Sequence, residues 1–480
     1  MKRSIKKNLY SLICAMFITS AAQAADNIFI PEMGTAGARG MTVQTERLYG
    51  EYFMRKARGA GIISYDPVMT EFINSVGQKL VLNANNVYFP FEFFLSADPS
   101  LNAAAFLGGK VQVNAGLFHY TDNEDEFASV LAHEISHITQ RHIARFIEEQ
   151  SDRGAISIAG IIGSIALAII NPTVGAAAFS TSAGLMAQTG INFTRDNEYE
   201  ADRIGISVLD KAGYNPMAMS TLFKKLFSMQ GNINSAYALL IDHPLSEIRV
   251  AEAYNRAKNL PKRKNSTDPN FMFAKARVDV RYMNLKLNEF KERLQNTEKV
   301  NKYYKNYALA LIYYGEKNYS KAKEYLENLS SMASNDFIVD LYTDIDLESG
   351  NTSSAISRLR PLYSKKPYDS AITINLANAY LKSREGKQAQ QVLEKFLQKY
   401  PNDSFASEML TESFLQQKNK CQALITNAQT MALKSDYTRA FNSLNDAMHT
   451  CKGSYSQIAR AQYSKISSQK DFDEKLEKRH

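Results

Sequence analysis

The stretch LAHEISHITQRH, Leu131 to His142, contains three of the seven histidines of this 480-residue chain and indicates its fold. His133 and His137 are four residues apart, so in a helix both imidazoles project from one face, with Glu134 beside them. A zinc ion needs neutral imidazole nitrogens at about 2.0 to 2.1 Å, which this spacing supplies. Glu134 is placed to take a proton from a water on the metal. The stretch therefore predicts a metallopeptidase helix with two ligands and a general base.

The third histidine of the stretch, His142, is predicted to lie outside the site. It follows His133 by nine positions, which in a continuous helix places it about 180° around the axis. A metzincin would carry a glycine at position 140 and a histidine at position 143, whereas this chain has Gln140 and Ile143. We therefore expect His142 to be a surface or packing residue.

A catalytic zinc site needs a third protein ligand and an open position for water. The segment RDNEYEADRIGISVLDKAG, residues 195–213, supplies Glu198 and Asp202 four residues apart on a predicted helix that ends near Gly213. One carboxylate can bind the metal while the other fixes a ligand histidine through its second ring nitrogen. Spacing alone does not choose between Glu198 and Glu200. A solvated acidic face paired with neighbouring arginines is the alternative.

The N-terminus predicts export. MKRSIKKNLYSLICAMFITSAAQAADN combines four basic residues, an apolar run and small residues up to Ala24, which is typical of a signal peptide over residues 1–24. Cys14 follows Ile13 rather than a small residue, which argues against a lipoprotein. Removal of the four basic residues lowers the formal net charge from +8 to +4, so the high net charge is partly a consequence of the leader. We expect no nucleic-acid partner.

The second half of the chain carries a repeat. Alanines recur after short turn segments at steps of 33, 34 and 34 residues: Ala322, Ala355, Ala389 and Ala423. This period resembles that of tetratricopeptide repeats, which are helix pairs that bury their apolar faces by stacking on neighbours. An unrelated helical solenoid is the alternative.

The segment NLPKRKNSTDPNF, residues 259–271, has the prolines and small polar residues of a domain edge. We place a boundary near Asn265, with a zinc metalloprotease domain over residues 25–265. The repeat domain is predicted over residues 266–480, with about four repeats in a core at 303–450. The predicted fold class is an α+β zincin-like metalloprotease domain, mostly helical with a small sheet, followed by an all-α tetratricopeptide-type solenoid.

The two cysteines that remain after leader removal predict a disulfide. Helices at about residues 420–433 and 437–450 should be antiparallel, and the midpoint between Cys421 and Cys451 falls in the turn between them. The two cysteines would then be level with each other, in an exported chain that permits oxidation.

Two strand-like segments, YFPFEFFLSAD (88–98) and GKVQVNAGLF (109–118), predict a small sheet before the histidines. A helix is expected from a capping box at Thr121 and Glu124 to about Gln150.

Residues 154–194 contain no charged side chain. Three interpretations stay open for this segment: a helical hairpin packed on the protein, a movable flap that contacts a membrane or a client, and a membrane span.

HExxH followed about sixty residues later by Glu-x-x-Ala-Asp resembles the gluzincin metallopeptidase family that includes HtpX and the exported BepA-like proteases. The BepA-like branch is similar over nearly the full length, through LNAAAFLGGKVQVNAGLF, ASVLAHEISHITQRH, NEYEADRIGI, DHPLSEIR and the repeats. The resemblance implies one zinc ion per subunit with His133, His137 and Glu198 as ligands. It also implies that Glu134 is the general base and that Asp202 holds a ligand histidine in place.

In the motif DHPLSEIR, the resemblance places His243 and Arg249 near the active site as catalytic residues. His243 is expected either to donate to the transition-state oxyanion or to occupy the open zinc position and keep the enzyme latent. A plain structural histidine is the alternative. The family architecture also implies that the strand around residues 110–114 pairs with an extended substrate.

The resemblance implies a periplasmic zinc metalloendopeptidase of a Gram-negative cell, associated with the outer membrane. Its chaperone-like role would be the assembly and quality control of outer-membrane β-barrel proteins, including the degradation of unfolded or stalled clients. The repeats are expected to contact the barrel-assembly machinery, and residues 154–194 are a candidate for peripheral membrane contact. One alternative is a chaperone or adaptor that acts through its repeats, with a latent protease site. The other is a membrane-embedded relative of HtpX.

Overall fold

Helices build most of the chain, and the computed structural model describes residues 41–152, 195–229, 239 and 243–477. The predicted signal peptide and the uncharged segment at 154–194 lie outside the described residues, so the interpretations of both stay predictions. Among the described helices, none is long and apolar enough to cross a lipid bilayer.

A three-stranded sheet follows two helices, α1 (Val43–Gly59) and α2 (Pro67–Val81). Its strands are β1 (Glu92–Ser96), β2 (Ala103–Phe106) and β3 (Lys110–Asn114). The order across the sheet is β1-β3-β2, with β3 parallel to β1 and antiparallel to β2. Two glycines with φ of 69° and 82° make the tight turn between β2 and β3, because only glycine adopts these angles without strain.

β1 and β3 lie within the two predicted strand segments, but residues 115–118 of the second segment form a helix instead, and β2 was not predicted. Its sequence is AAAF, and alanine has a low strand propensity, so no strand pattern marked it. The expected pairing of residues 110–114 with substrate is wrong, because β3 is the central strand and is paired on both sides. In the sheet that the structure describes, β2 is an edge strand.

The helix expected from Thr121 to Gln150 is two helices, α4 (Glu124–Thr139) and α5 (His142–Asp152), and a short α3 (Ala115–Tyr120) precedes them. The N-cap is Asn123 rather than Thr121. The Asn123 side chain accepts the Glu126 N–H at 3.0 Å, and the Glu126 carboxylate accepts the Asp122 N–H at 2.9 Å. This reciprocal arrangement fixes the start of α4 two residues later than predicted.

A break at Gln140 and Arg141 separates α4 from α5. Arg141 has a left-handed φ of 55°, and its N–H bonds the Ile138 carbonyl at 3.0 Å. Its guanidinium Nε donates to Glu46 of α1 at 2.7 Å. The expectation of one uninterrupted helix is therefore wrong, although neither glycine nor proline stands at the break.

Among the described residues, the protease part contains three further helices: α6 (Arg195–Lys211), α7 (Met217–Met229) and α8 (Glu247–Ala257). α6 packs closely on α4, and a Cβ at Gly205 would lie only 3.3 Å from backbone atoms of Ala132 and His133. Gly205 therefore permits the close approach of the two helices. α6 ends just before Gly213, as predicted, where φ is 83°.

Helix pairs follow one another in the second half. They are α9 (Pro269–Arg281), α10 (Leu287–Asn296), α11 (Lys302–Gly315), α12 (Tyr319–Glu327), α13 (Asp336–Glu348), α14 (Thr352–Lys365), α15 (Ser370–Lys382), α16 (Gly386–Lys399), α17 (Ser404–Gln416), α18 (Lys420–Leu433), α19 (Tyr437–Thr450) and α20 (Ser454–Glu477).

The predicted period is confirmed in the second helix of four successive pairs, α12, α14, α16 and α18. The four repeating alanines lie near the starts of these helices and are buried, which allows close helix packing. The turn before each of these helices contains a residue with left-handed φ: Lys317, Gly350, Arg384 and Lys418. The domain boundary near Asn265 stays a prediction.

The predicted disulfide joins Cys421 and Cys451, whose Cα atoms are 5.9 Å apart. The two helices that lead to it, α18 and α19, span the residues that the sequence predicted. The bridge therefore connects the two ends of an antiparallel hairpin.

The last helix, α20, returns to the start of the protease part. Asp473 of α20 pairs with the buried Arg55 of α1 and accepts a hydrogen bond from Tyr437. Leu476 packs in one apolar cluster with Tyr52 of α1 and Ile147 of α5. Protease and repeats consequently belong to one compact unit that starts at Met41.

A second buried link joins the two parts through Arg277 of α9. Its guanidinium donates to Asp66, the N-cap of α2, at 2.7 Å and to Asp340 of α13 at 2.7 Å. Burial alone would raise the pKa of Asp66, but the charges of Arg277 and Arg281 hold it below its usual value. One arginine thus neutralises a carboxylate from each part.

We expect Arg277→Met to lower the free energy of unfolding by about 3 to 5 kcal/mol, because it leaves two buried carboxylates without their counter-charge. Urea unfolding measures the loss. The matched control is Arg256→Met, since the Arg256 side chain is 40% exposed and pairs with Glu252 on the surface of α8; its loss should stay below about 1 kcal/mol. Equal losses in the two variants would contradict the bridging role of Arg277.

Candidate metal centre

Helix α4 places His133 and His137 one turn apart on its buried face. The two Nε2 atoms are 2.9 Å apart, and the ring centroids are 4.6 Å apart. Both side chains are buried, with 5% and 1% of their surface exposed. The four-residue spacing therefore brings both nitrogens to one point, as the sequence predicted.

Helix α6 brings two carboxylates to the same point. Glu198 Oε2 lies 3.4 Å from His133 Nε2, and Glu198 Oε1 lies 3.5 Å from His137 Nε2. Asp202 Oδ1 lies 3.0 Å from the other ring nitrogen of His133, Nδ1. Glu200 faces away from this cluster and pairs with Arg145 at 2.9 Å. The structure thus distinguishes Glu198 from Glu200, which the spacing did not.

His243 and Arg249 approach from the DHPLSEIR segment. His243 Nδ1 lies 2.9 Å from Glu198 Oε1 and 3.3 Å from His133 Nε2. Arg249 donates two hydrogen bonds to Asp202, at 2.8 and 2.9 Å, and its Nη1 lies 2.9 Å from Glu198 Oε2. The same nitrogen donates to the Pro244 carbonyl at 2.9 Å. Arg249 therefore contacts the acidic residues and holds the chain beside His243.

The donor atoms of the cluster fit a tetrahedral metal ion. His133, His137, Glu198 and His243 each offer one nitrogen or oxygen, and these four atoms lie within 4.8 Å of one another. Bonds of about 2.0 to 2.1 Å to a tetrahedral zinc would separate neighbouring ligand atoms by about 3.3 Å. Five contacts between the donor atoms of these residues are 2.9 to 3.5 Å long. Nitrogen and carboxylate donors are also the ligands that zinc prefers.

Burial is the largest influence on the pKa values of the cluster, and nearby charges decide their directions. Burial lowers the pKa of His133, but hydrogen bonds to Asp202 and Glu198 outweigh it and raise that pKa to about 10. Burial raises the pKa of Glu198, but the charge of His243 and hydrogen bonds to both histidines hold it below its ordinary value. In this arrangement protons on the histidines balance the charge of the carboxylates, and a bound cation would take the place of those protons.

Glu134 lies between the histidines and the edge strand β2. Its Oε2 accepts the N–H of Ala105 at 2.9 Å, and its Oε1 lies 3.6 Å from His243 Nε2. Burial raises the pKa of Glu134, and the charges of His243 and His133 reverse only part of that rise. The carboxyl group is thus fixed beside the cluster and holds a proton more readily than an exposed glutamate.

His142 is closer to the site than the sequence predicted. It is fully buried, so a surface position is wrong, and its Nδ1 lies 2.7 Å from His137 Nδ1. The calculated angle of 180° assumed one continuous helix, whereas the break at Gln140 and Arg141 resets the direction of the chain. No residue in the stretch marks that break, so no sequence signal was available for this contact.

Comparison with known proteins agrees with this geometry. The model of peptidase family M48 matches residues 67–257, and a tetratricopeptide repeat model matches residues 346–411. A beta-barrel assembly-enhancing protease of Yersinia pestis is 36% identical over 422 residues, which is 87% of each chain. The protein of that name from Escherichia coli (strain K12) is 36% identical over 467 residues, 96% of each chain. A putative one from Vibrio cholerae is 33% identical over 462 residues, 95% of each chain.

These matches confirm the family that was predicted from HExxH, the downstream Glu-x-x-Ala-Asp and the repeats. They cover the protease part and the repeats in a single alignment, at identities above those expected for a shared fold alone. With the buried histidine and carboxylate cluster, the chain is a metalloprotease of peptidase family M48, and it belongs to the beta-barrel assembly-enhancing proteases.

Proposed function

We propose that this chain is a periplasmic zinc endopeptidase that degrades stalled or misassembled outer-membrane β-barrel proteins and assists their assembly. The observation that carries the proposal is the buried cluster of His133, His137, Glu198 and His243, whose donor atoms lie within 4.8 Å of one another. The names of the relatives support the barrel-assembly role, and the tetratricopeptide repeats suit contact with partner proteins. The signal peptide predicted at residues 1–24 supports export.

In the proposed site, His133, His137 and Glu198 hold the zinc. A bound zinc ion lowers the pKa of a water and polarises a peptide carbonyl. Asp202 Oδ1 lies 3.0 Å from Nδ1 of His133 and would accept its proton, which leaves Nε2 as the ligand atom. Glu134, oriented by the Ala105 N–H, takes the proton of the attacking water and returns it to the leaving amine. Arg249 orients Asp202 and Glu198 and limits the repulsion between them.

The edge strand β2 is the proposed partner for an extended client segment. The Ala105 N–H points at Glu134, away from β3, so this edge faces the catalytic base. An extended chain that pairs there places its own backbone beside the cluster. Such pairing favours unfolded clients, because a folded barrel has already paired its strands.

His243 is proposed to keep the site latent. A catalytic zinc site needs one open position, and His243 Nδ1 occupies the fourth corner of the donor set. Arg249 holds this arrangement by donating to the Pro244 carbonyl. Cleavage therefore requires the segment with His243 to move, and a bound client or a partner on the repeats is the proposed trigger.

We expect Glu134→Gln to lower the cleavage rate of an unfolded β-barrel protein by roughly 10²- to 10⁴-fold, because the amide cannot take the proton. Zinc content should stay at the wild-type level, since Glu134 is not a proposed ligand. Peptide release and metal analysis measure the two effects. If client turnover and barrel assembly continued unchanged, the result would contradict the protease proposal and favour a chaperone or adaptor that acts through the repeats.

We expect His243→Ala to retain zinc and to raise basal cleavage, because it opens the fourth position. His449→Ala is the matched control, since His449 is an exposed histidine on α19 and should leave cleavage unchanged. A fall in cleavage with zinc retained would instead indicate a donor to the oxyanion. No change in either zinc or cleavage would remove both proposed roles of His243.

A further inference from the structure

His142 lies directly behind the proposed ligand His137. Their Nδ1 atoms are 2.7 Å apart, with ring centroids at 4.8 Å and an interplanar angle of 77°. On the other side of the His142 ring, Nε2 lies 3.1 Å from Glu200 Oε2. Arg145 donates to that same carboxylate oxygen at 2.9 Å. A continuous row of contacts thus runs from Arg145 through Glu200 and His142 to His137.

The direction of each hydrogen bond in this row follows from the ligand role of His137. Its Nε2 faces the donor cluster, so when that atom binds a metal the ring proton stays on Nδ1. Nδ1 of His137 then donates, and Nδ1 of His142 must accept. The proton of a neutral His142 is therefore on Nε2, which donates to Glu200. Each bond has one proton and one acceptor.

We propose that His142 is a positioning residue for His137, and that Glu200 sets its tautomer. This inference rests on the proposed zinc site. Asp202 performs the equivalent task for His133 by direct contact. Removal of the group that binds the second nitrogen of a ligand histidine typically lowers metal affinity by about 10- to 100-fold.

A neutral imidazole suits this place better than a carboxylate would. The cluster already buries three carboxylates within hydrogen-bonding or near-contact distance of its histidines: Glu134, Glu198 and Asp202. A fourth acid behind His137 would add like charge in a poorly solvated position. His142 instead supplies an acceptor without charge, and the acid of the row, Glu200, stays partly exposed with 28% of its side chain accessible.

Zinc affinity of the full-length protein, measured by competition with a chelating dye, tests the proposal. His142→Leu removes the acceptor, and we expect its zinc affinity to fall roughly 10- to 100-fold. His142→Asn places an amide oxygen near the position of Nδ1 and should retain most of the wild-type affinity. The absorption spectrum of the Co²⁺-substituted protein should shift in the leucine variant and return toward wild type in the asparagine variant.

A second pair of variants tests the same row without changing the buried ring. Glu200→Ala should lower zinc affinity, by less than His142→Leu, because the ring loses the acceptor that fixes its tautomer. Asp210→Ala is the matched control: it lies on the same helix, is 21% exposed, and pairs with Arg263 at 2.6 Å. This control should leave zinc affinity unchanged. Circular dichroism identifies any variant that fails to fold. If the His142 variants do not fold, the comparison of Glu200→Ala with Asp210→Ala tests the proposal.

The outcomes separate the two proposals. If the wild-type protein binds no zinc, the proposed function fails. If the wild type binds zinc and the folded His142→Leu variant binds it equally well, the positioning role is wrong. Equal losses in the leucine and asparagine variants would assign His142 to packing alone. An unchanged affinity in Glu200→Ala would remove Glu200 from the row.

Discussion

The close packing of α6 on α4 is the constraint on which the site depends. Gly205 has no Cβ, so the backbones approach near His133, and the carboxylates of Glu198 and Asp202 reach the histidines from the facing helix. Buried carboxylates are costly unless they are paired and hydrogen-bonded. Arg249 supplies a permanent positive charge to both acids. The histidines supply protons, which a metal cation replaces in the proposed enzyme. The buried carboxylates are therefore stable only when Arg249 and the histidines are also in place.

Arg249 also contacts the chain segment that carries His243. Arg249 binds Asp202 and Glu198 and also donates to the Pro244 carbonyl beside His243. Movement of His243 away from the donor set must therefore preserve or replace a charge-assisted hydrogen bond, each of which is worth about 1.5 to 3 kcal/mol. That range is small enough for a bound client or partner to supply, and large enough to keep the closed arrangement populated in its absence.

The repeats are part of the same body rather than a flexible appendage. Arg277 connects the N-cap of α2 with α13, and α20 packs its last turns against α1 and α5. Helix α5 begins at His142, directly behind His137. A displacement of the last repeat helix would therefore act on the element that carries His142. The repeats are therefore physically connected to the proposed ligand His137.

The sequence by itself determined the elements whose signals are local. The spacing of His133 and His137, the period of the alanines, and the hairpin that brings Cys421 to Cys451 depend on helix geometry alone, and all three are found in the structure. Only the tertiary structure decided the rest. β2 lacks a strand-like sequence and exists because β3 pairs with it, and the break before His142 is held by the contact of Arg141 with a distant helix. The resemblance implied Glu198, but spacing alone left Glu200 open, and the position of Glu198 in the cluster depends on the direction from which α6 meets α4. These features arise from contacts between residues far apart in the chain, which no local pattern records.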